Sequence, residues 1–332
     1  MKLNDHPTVK KYLKSEKKFA PEEVDYQWLR EIATAAGADD VGFVEIDRQD
    51  LRDQKDDIQR AFPGVKSIIS YVCRLNPLQL QSADRSLADV EFIALESEMK
   101  KVSRVIVKVL RENGIGSVVP SENFPMDMLK WPGKMWTVSH KPIAAAAGLG
   151  QIGHHRLLIH PVFGSYICLG TILIDVAVAK YDRPIDFNPC LECKLCVSVC
   201  PTGAISKNGE FKFLSCLVHT YRDRLGGFLN WVEEIVTSTN MVEYREKRND
   251  SETMAVWQSL THGGGYRCGY CMSVCPAGED VIGSYIEDKK GYVSTVVKPL
   301  KDREEPVYIL SGAEDESTVS KRFPHKILKQ VG

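Results

Sequence analysis

Two cysteine runs constrain this chain more than any other feature: C-L-E-C-K-L-C-V-S-V-C-P from Cys190 to Pro201, and C-G-Y-C-M-S-V-C-P from Cys268 to Pro276. The first is the bacterial ferredoxin spacing, in which three thiolates serve one 4Fe-4S cluster and the last cysteine serves another. The second run is one cysteine short of that pattern. Cys216, standing alone between them, supplies the deficit, so the count closes at eight ligands for two clusters. The assignment expected from spacing is Cys190, Cys193, Cys196 and Cys275 on one cluster, and Cys200, Cys216, Cys268 and Cys271 on the other.

Structural zinc and disulfides are the rival readings, and neither fits well. Zinc sites come as two C-x2-4-C pairs or with paired histidines. Disulfides need an oxidising compartment, and the opening M-K-L-N-D-H-P-T-V-K-K-Y-L-K has no apolar stretch for secretion. Cys73 and Cys168 lie in apolar stretches outside the runs and read as buried, inert thiols. With 332 residues, 43% of them hydrophobic, the chain has material for about two domains and a substantial core. Lysine and arginine number 43 against 44 acidic residues, so no global basic field points to nucleic acid. The apolar stretch from Tyr166 is short for a bilayer span and carries Asp175, which reads as buried strand and predicts a cytoplasmic protein with no membrane partner.

Residues 21 to 36 space Val24, Trp28, Leu29, Ile32 and Ala35 as a helix, with Pro21 near its start and Gly37 after its end. V-G-F-V-E-I at 41 to 46 and S-I-I-S-Y-V-C at 67 to 73 read as strands. From Leu87 to Leu110 the apolar spacing predicts a long amphipathic helix closed by Asn113-Gly114. A short strand at 115 to 119 precedes an aperiodic loop, S-E-N-F-P-M-D-M-L-K-W-P-G-K-M-W, of the kind that lines a site. An alanine-rich short helix follows with Pro142 in its first turn, then strands at 156 to 160 and 166 to 178. The fold class expected is α+β: an α/β domain over 1–183, a ferredoxin-like domain over 184–280 with an insertion at 217–267, and a polar extension over 281–332 that reads as an extended wrap. Gly148-Leu-Gly150-Gln-Ile-Gly153 formally matches the dinucleotide fingerprint G-x-G-x-x-G. Its context is wrong, because an alanine run precedes it and a strand-like segment follows. Such glycines serve tight turns or close approach to a bulky ligand.

The stretch A-G-L-G-Q-I-G-H-H-R-L-L-I-H-P-V-F-G-S-Y-I-C-L-G-T-I-L-I-D at 147 to 175, followed by D-F-N-P-C-L-E-C-K-L-C-V-S-V-C-P-T-G-A-I, resembles the core shared by tRNA epoxyqueuosine reductases and cobalamin-dependent reductive dehalogenases. The resemblance covers roughly residues 140 to 280. It implies a nitroreductase-like domain holding base-off cobalamin, fed by a two-cluster ferredoxin module. It implies corrinoid contacts at Lys141, Gly148, Leu149, Gly150, Gly153, His155, Gly164, Ser165 and Leu169. It also implies an external low-potential donor, flavodoxin or ferredoxin, and a small organic substrate.

The departures from the family pattern matter. Epoxyqueuosine reductases carry an aspartate acid in a D-S/T-A-P-like segment shortly before A-G-L-G; this chain reads W-P-G-K-M-W-T-V-S-H-K-P there, with Lys134 nearest. His154 stands where the family carries lysine or arginine. The helical-repeat tail of many epoxyqueuosine reductases is absent from this sequence, as is the twin-arginine leader of membrane-associated dehalogenases, so a distinct substrate is the simplest inference and tRNA is not excluded. A general acid must titrate usefully and reach its substrate, and the candidates are Asp127, His140, His154 and Tyr166. Packing explains each of them equally directly, as it does Trp131 and Trp136. Two alternatives stay open: an electron-transfer protein without corrinoid, and a tRNA epoxyqueuosine reductase lacking the repeat tail.

Overall fold

The structure is a computed structural model that describes residues 3–15, 21–131, 133–310 and 316–331. Its centre is a four-stranded antiparallel sheet of β1 (Asp40–Glu45), β2 (Ser67–Arg74), β3 (Ser117–Val118) and β4 (Ile167–Ile174), in the spatial order β1-β2-β4-β3. Strand β2 lies inside the sheet and buries every side chain from Ser67 to Cys73, which is why it reads as a continuous β-rich run rather than an alternating one. One face carries Val41, Phe43, Ile69, Tyr71, Ile172 and Ile174 against two helices, α1 (Tyr26–Ala36) and α2 (Arg85–Glu112). The other carries Val44, Ile46, Ile68 and Leu173 against Ile143 and Ala146 of α3 (His140–Ala146). The period-two alternation of each strand thus sends its residues into two separate cores.

Helix α1 begins at Tyr26, five residues later than the pattern suggested. Asp25 accepts a hydrogen bond from the Trp28 amide at 2.7 Å and sets the start, while Glu23–Val24 pairs in parallel with Ala177–Val178. Helix α2 starts behind Asp84, whose carboxylate accepts from the Ser86 amide. It packs Phe92, Leu95, Met99, Val102 and Ile106 onto the sheet, and the Tyr71 hydroxyl sits 2.6 Å from Ser103 Oγ.

The cysteine-bearing segments fold as short helices: α4 (Leu195–Val199), α5 (Phe213–Thr220), and, after three helices spanning Gly226–Val236, Met241–Lys247 and Asp250–His262, a single turn at Tyr270–Ser273. Leu195, Val199, Tyr270, Met272 and Val274 join the same buried cluster as the α1–α2 face of the sheet, so the core runs unbroken past residue 183. Three contacts lock the segments together. Gly164 has φ +63, and a Cβ there would lie 1.4 Å from the Ala277 carbonyl oxygen, so only glycine allows the backbones to meet. The Glu279 amide donates to the Val162 carbonyl at 2.8 Å, and Arg74 stacks over Phe163 while pairing with Asp280 at 2.6 Å.

The last fifty residues are not an extended wrap. They form helices at Glu279–Glu287, Lys289–Tyr292 and Lys298–Asp302, then a two-stranded parallel sheet of Pro306–Leu310 and Ile327–Val331. Polar composition hid a small core of Val307, Ile309, Val319 and Phe323, and a buried ion cluster. Within that cluster Glu305 accepts from Tyr270 Oη at 2.6 Å and from Lys326 Nζ at 3.1 Å, and lies 3.6 Å from Arg222. Among the described residues no helix is long and apolar enough to cross a membrane.

Replacing Glu305 with Gln removes the negative partner of a buried lysine. We expect a loss of about 3–5 kcal/mol in anaerobic chemical denaturation, the usual cost of stranding a buried charge.

Candidate functional site

The two cysteine runs curl because residues between their cysteines adopt left-handed backbone: Glu192 and Lys194 in the first, Gly269 in the second. All ten cysteines are free thiols. Cys196 is influenced by the charges of Cys275, Cys193 and Cys190. Cys268 is influenced by Cys200 and Cys216, and Cys271 by Cys268, Cys216 and Cys200, with Cys196 as the link between the two groups. Burial pushes the Cys196 and Cys268 thiols up to about 12 and Cys275 to about 11, reinforced by the neighbouring sulfurs. Sulfurs that raise one another's pKa in this way ionise together only beside a cationic centre, which is the chemistry of a metal-cluster donor set. Among the described residues no three His, Cys, Asp or Glu side chains converge tightly enough to hold a single metal ion.

His154 and His155 border the first group. With Cys190, Cys193, Cys196 and Cys275 they line one small recess. The His154 amide donates to Cys190 Sγ at 3.2 Å, while its ring bonds the Ser206 carbonyl and Lys194. His155 is buried. Its Nδ1 accepts from the Leu157 amide at 3.1 Å, which leaves the proton on Nε2, and Nε2 has no protein partner. Burial, with Lys141 and His154, lowers the His155 pKa to about 4, so the ring is a neutral donor at ordinary pH. Lys141 is reached by water yet enclosed by protein, and burial lowers its pKa against the opposing pull of Cys216 and Cys271. An orphaned donor and an enclosed cation beside the sulfurs suit an electron-rich, carboxamide-fringed group.

The glycines expected at a cofactor make room for the chain itself. A Cβ on Gly148 would meet the Arg183 carbonyl oxygen at 2.6 Å, one on Gly150 the Ile159 carbonyl oxygen at 2.3 Å, and one on Gly153 the Ile159 side chain. A hairpin, Gln151–Ile152 against Leu158–Ile159, follows them in place of a phosphate-binding helix. Leu149 is core, Ser165 Oγ donates to the Met272 carbonyl, and Leu169 is half-buried on β4.

Three of the four acid candidates are otherwise engaged. Tyr166 is 2% exposed, and its hydroxyl faces the Ser273 and Cys275 carbonyls at 2.8 and 3.1 Å while accepting from Gln81; burial drives its pKa well above the usual value. His140 is held through both nitrogens, by Thr171 Oγ1 at 2.8 Å and the Ser121 carbonyl at 3.0 Å. Asp127 caps the Met128–Lys130 turn through the Leu129 amide, lies 3.7 Å from Lys130, and is absent from the cavity wall.

A cavity of about 650 Å³ lies between α2, the 121–131 loop and the insertion helices. Its apolar wall includes Phe124, Trp131, Leu225, Phe228 and Leu260. Trp136 packs instead on Phe213, and Lys134 pairs with Asp57 at 2.8 Å. Among the polar wall residues Glu96 pairs with Arg267, Arg224 donates to Ser259 and Gly263, and Asp223 accepts from the Tyr266 amide. Glu122 is different. Its Oε1 is buried without a partner, and burial raises its pKa against its own amide and Lys100, with Glu96 adding to the rise. The cavity adjoins the Cys216 helix through Tyr221, whose hydroxyl donates to Asn123 Oδ1 at 2.9 Å and whose ring meets Phe124 edge-on. Sequence reasoning marked the loop but passed over Glu122 within it; the available signal was a carboxylate beside aromatic and proline residues in an aperiodic stretch. The insertion's contribution, from Asp223 to Gly263, had no comparable signal.

Residues 189–278 match the model of a 4Fe-4S double cluster binding domain. The epoxyqueuosine reductase of Bacillus cereus is 25% identical over 230 residues, 66% of this chain and 50% of that protein. The epoxyqueuosine reductase of Escherichia coli is 38% identical over 149 residues, 43% of this chain and 37% of that protein. The chain thus matches half, or less, of the length of these curated relatives. A reductive dehalogenase structure, described as suggesting a mechanism for B12-dependent dehalogenation, aligns with a TM-score of 0.48 at 17% identity, covering 81% of this chain and 35% of that one. The resemblance to epoxyqueuosine reductases is carried by the curated relatives, and the chain contains a 4Fe-4S binding domain.

Tyr166→Phe removes a buried hydroxyl between two carbonyls, so we expect a loss of about 1–3 kcal/mol in denaturation. Cluster content and turnover of the surviving folded protein should match the parent, which separates this structural role from that of an acid.

Proposed function

We propose that this chain is an iron-sulfur reductase that passes low-potential electrons through two 4Fe-4S clusters to a corrinoid and on to a small organic substrate. The observation that carries the reading is the pairing of two groups of free cysteine sulfurs with a cavity that abuts the Cys216 helix. The ligands we assign are Cys190, Cys193, Cys196 and Cys275 for one cluster, and Cys200, Cys216, Cys268 and Cys271 for the other. Mutual influence of the sulfurs supports this grouping. Cys196 and Cys271 stand where the groups meet and give electrons a short path from one cluster to the next.

Base-off cobalamin is the second cofactor of the proposal, and when bound it supplies the electron transfer to a substrate atom that side chains cannot. Lys141 and the His155 Nε2 donor are the residues we assign to its polar edge, with the backbone around Gly148–Gly153 and Gly164–Ser165 as its bed. Lys141, reached by water, would pair with a negative or carbonyl group of the cofactor, and the fixed His155 tautomer would offer it one N–H in one direction. The organisation proposed is a nitroreductase-like unit over 1–183, a ferredoxin-like unit over 184–280 and a C-terminal unit over 281–332, with flavodoxin or ferredoxin as external donor. The loop at 121–131 and the insertion helices would flank the substrate.

A second reading has specific support, because the curated relatives carry the name epoxyqueuosine reductase. In it the substrate is the modified base of a tRNA, and binding weakens steeply with salt as counterion release requires. The near-equal charge balance and the different residues before A-G-L-G favour a substrate of another kind.

Anaerobic reconstitution with iron and sulfide should load about eight iron per chain, the content of two 4Fe-4S clusters. Cys216→Ser should lower that load to about half, and Cys73→Ser should leave it unchanged. Incubation with cobalamin, gel filtration and cobalt analysis should then retain about one cobalt per chain with a base-off EPR signal. Clusters without retained cobalt would establish the electron-carrier reading instead. Salt-sensitive turnover of an epoxyqueuosine-bearing tRNA stem loop would establish the second reading.

A further inference from the structure

The search for a proton donor turns on the cavity wall. A two-electron reduction that adds hydrogen to its substrate must take up two protons, and the groups first considered for the task are tied into caps, carbonyl pairs or the cysteine recess. Of the charged residues lining the cavity, Glu96, Asp223 and Arg224 are already paired or hydrogen bonded. Glu122 has a buried Oε1 with no partner and is flanked by Asn123 and Phe124, which tie the same loop to the Cys216 helix through Tyr221.

We propose that Glu122 is the proton donor of this enzyme, and that the cavity it lines takes a planar, uncharged ring bearing an oxygen atom. The assignment rests on the reductase reading above. The aromatic walls of Phe124, Trp131 and Phe228 suit the faces of a ring, since stacked and edge-on ring contacts favour flat, polarisable ligands. A carboxyl that keeps its proton donates a hydrogen bond to a neutral oxygen, whereas an ionised one would accept from a cation. Burial and the unpartnered Oε1 favour the first kind for Glu122. Burial is the largest influence on it, and Glu96 reinforces the effect, while its own amide and Lys100 oppose it. Asp223 and Arg224 face the same cavity from the insertion side, and the negative form would also face the Tyr71, Cys73 and Cys168 groups of the sheet.

The step balances as follows. Two electrons would reach the substrate from the external flavodoxin- or ferredoxin-type donor by way of the clusters and the corrinoid of the reading above. The Glu122 O–H bond breaks as an O–H bond forms on the substrate oxygen, leaving the Glu122 carboxylate. The substrate's ring C=O π bond breaks as this happens, the two electrons and a second proton from water form a C–H bond at that carbon, and Glu122 regains its proton from solvent between turnovers.

The test compares the parent and Glu122→Gln as reconstituted full-length chains. Difference infrared spectroscopy across pH 5 to 9 should show a protonated carboxyl band in the parent that disappears in Glu122→Gln. Absence of a Glu122-dependent band at neutral pH would overturn the proposal, and this readout does not depend on clusters, corrinoid or substrate. With cyclohex-2-enone, an uncharged ring carbonyl, as probe, kcat should fall about 100-fold or more in Glu122→Gln, within the range for loss of a general acid, with KM little changed. The parent's kcat should decline as pH rises through the Glu122 pKa, because only the protonated form donates, and Glu122→Gln should lose that decline. Glu122→Asp should recover part of the rate, and Asp127→Asn should keep the parent's rate and pH profile. Unaltered kcat in Glu122→Gln would overturn the assignment. Failure to load iron or retain cobalt would instead count against the reductase reading, leaving the infrared result to decide on Glu122.

Discussion

The organisation of this molecule depends on the close approach of the Gly164 backbone to the Ala277 carbonyl. That approach sets the second cysteine run against the sheet, and with it the position of every sulfur in the run. Around it the contacts are directional: the Glu279 amide on the Val162 carbonyl, Tyr166 facing the Ser273 and Cys275 carbonyls, and Arg74 between Phe163 and Asp280. Buried hydrogen bonds of this kind add modest net stability, yet are expensive to leave unmade, so they specify one docking geometry more than they strengthen it.

A second constraint closes the opposite side. Glu305, Lys326, Arg222 and Tyr270 place a buried ion cluster beneath the second cysteine run, and His219 in the Cys216 helix bonds Tyr266 and accepts from the Tyr308 amide. Burial, with the nearby Arg222 charge, depresses the His219 pKa to about 3, so it serves here as a neutral hydrogen-bonding ring. The Cys216 helix is thereby held by the C-terminal strand, which explains why a polar-looking tail matters to the cysteine sites. Buried ion pairs are weak evidence for net stability, but removing one member is costly, and that asymmetry protects a unique arrangement.

The cavity arises where these constraints leave a gap. Helix α2 forms its floor, the aperiodic loop one wall and the insertion helices the other. A carboxyl pinned in such a place, with an unpaired oxygen, is costly unless it carries a proton. Strain of this sort is retained where function uses it. Burial by protein raises Glu122 and lowers Lys141, each in its own place, because it disfavours the charged form of an acid and of a base alike.

By itself the sequence determined the local pieces. Alternation and β-branched runs placed the strands at 41–46 and 67–73, found at 40–45 and 67–74; helical spacing placed 87–110, found within 85–112; and the shift from periodic to aperiodic at 121 marked the loop that lines the cavity. Those signals are local because burial on one face repeats with the period of the backbone. It also showed that the glycine fingerprint lacked a following helix, and the hairpin at 151–159 has that form. Tertiary structure alone decided the rest. Nothing near Tyr166 in the chain announces carbonyls more than a hundred residues away, nor does the Glu122 segment reveal which carboxylate will lack a partner. The polar tail concealed its core because five apolar side chains scattered between Val307 and Leu328 have no period until two strands pair. Protonation and reach depend on what surrounds a group in space, and that is set by packing between distant segments.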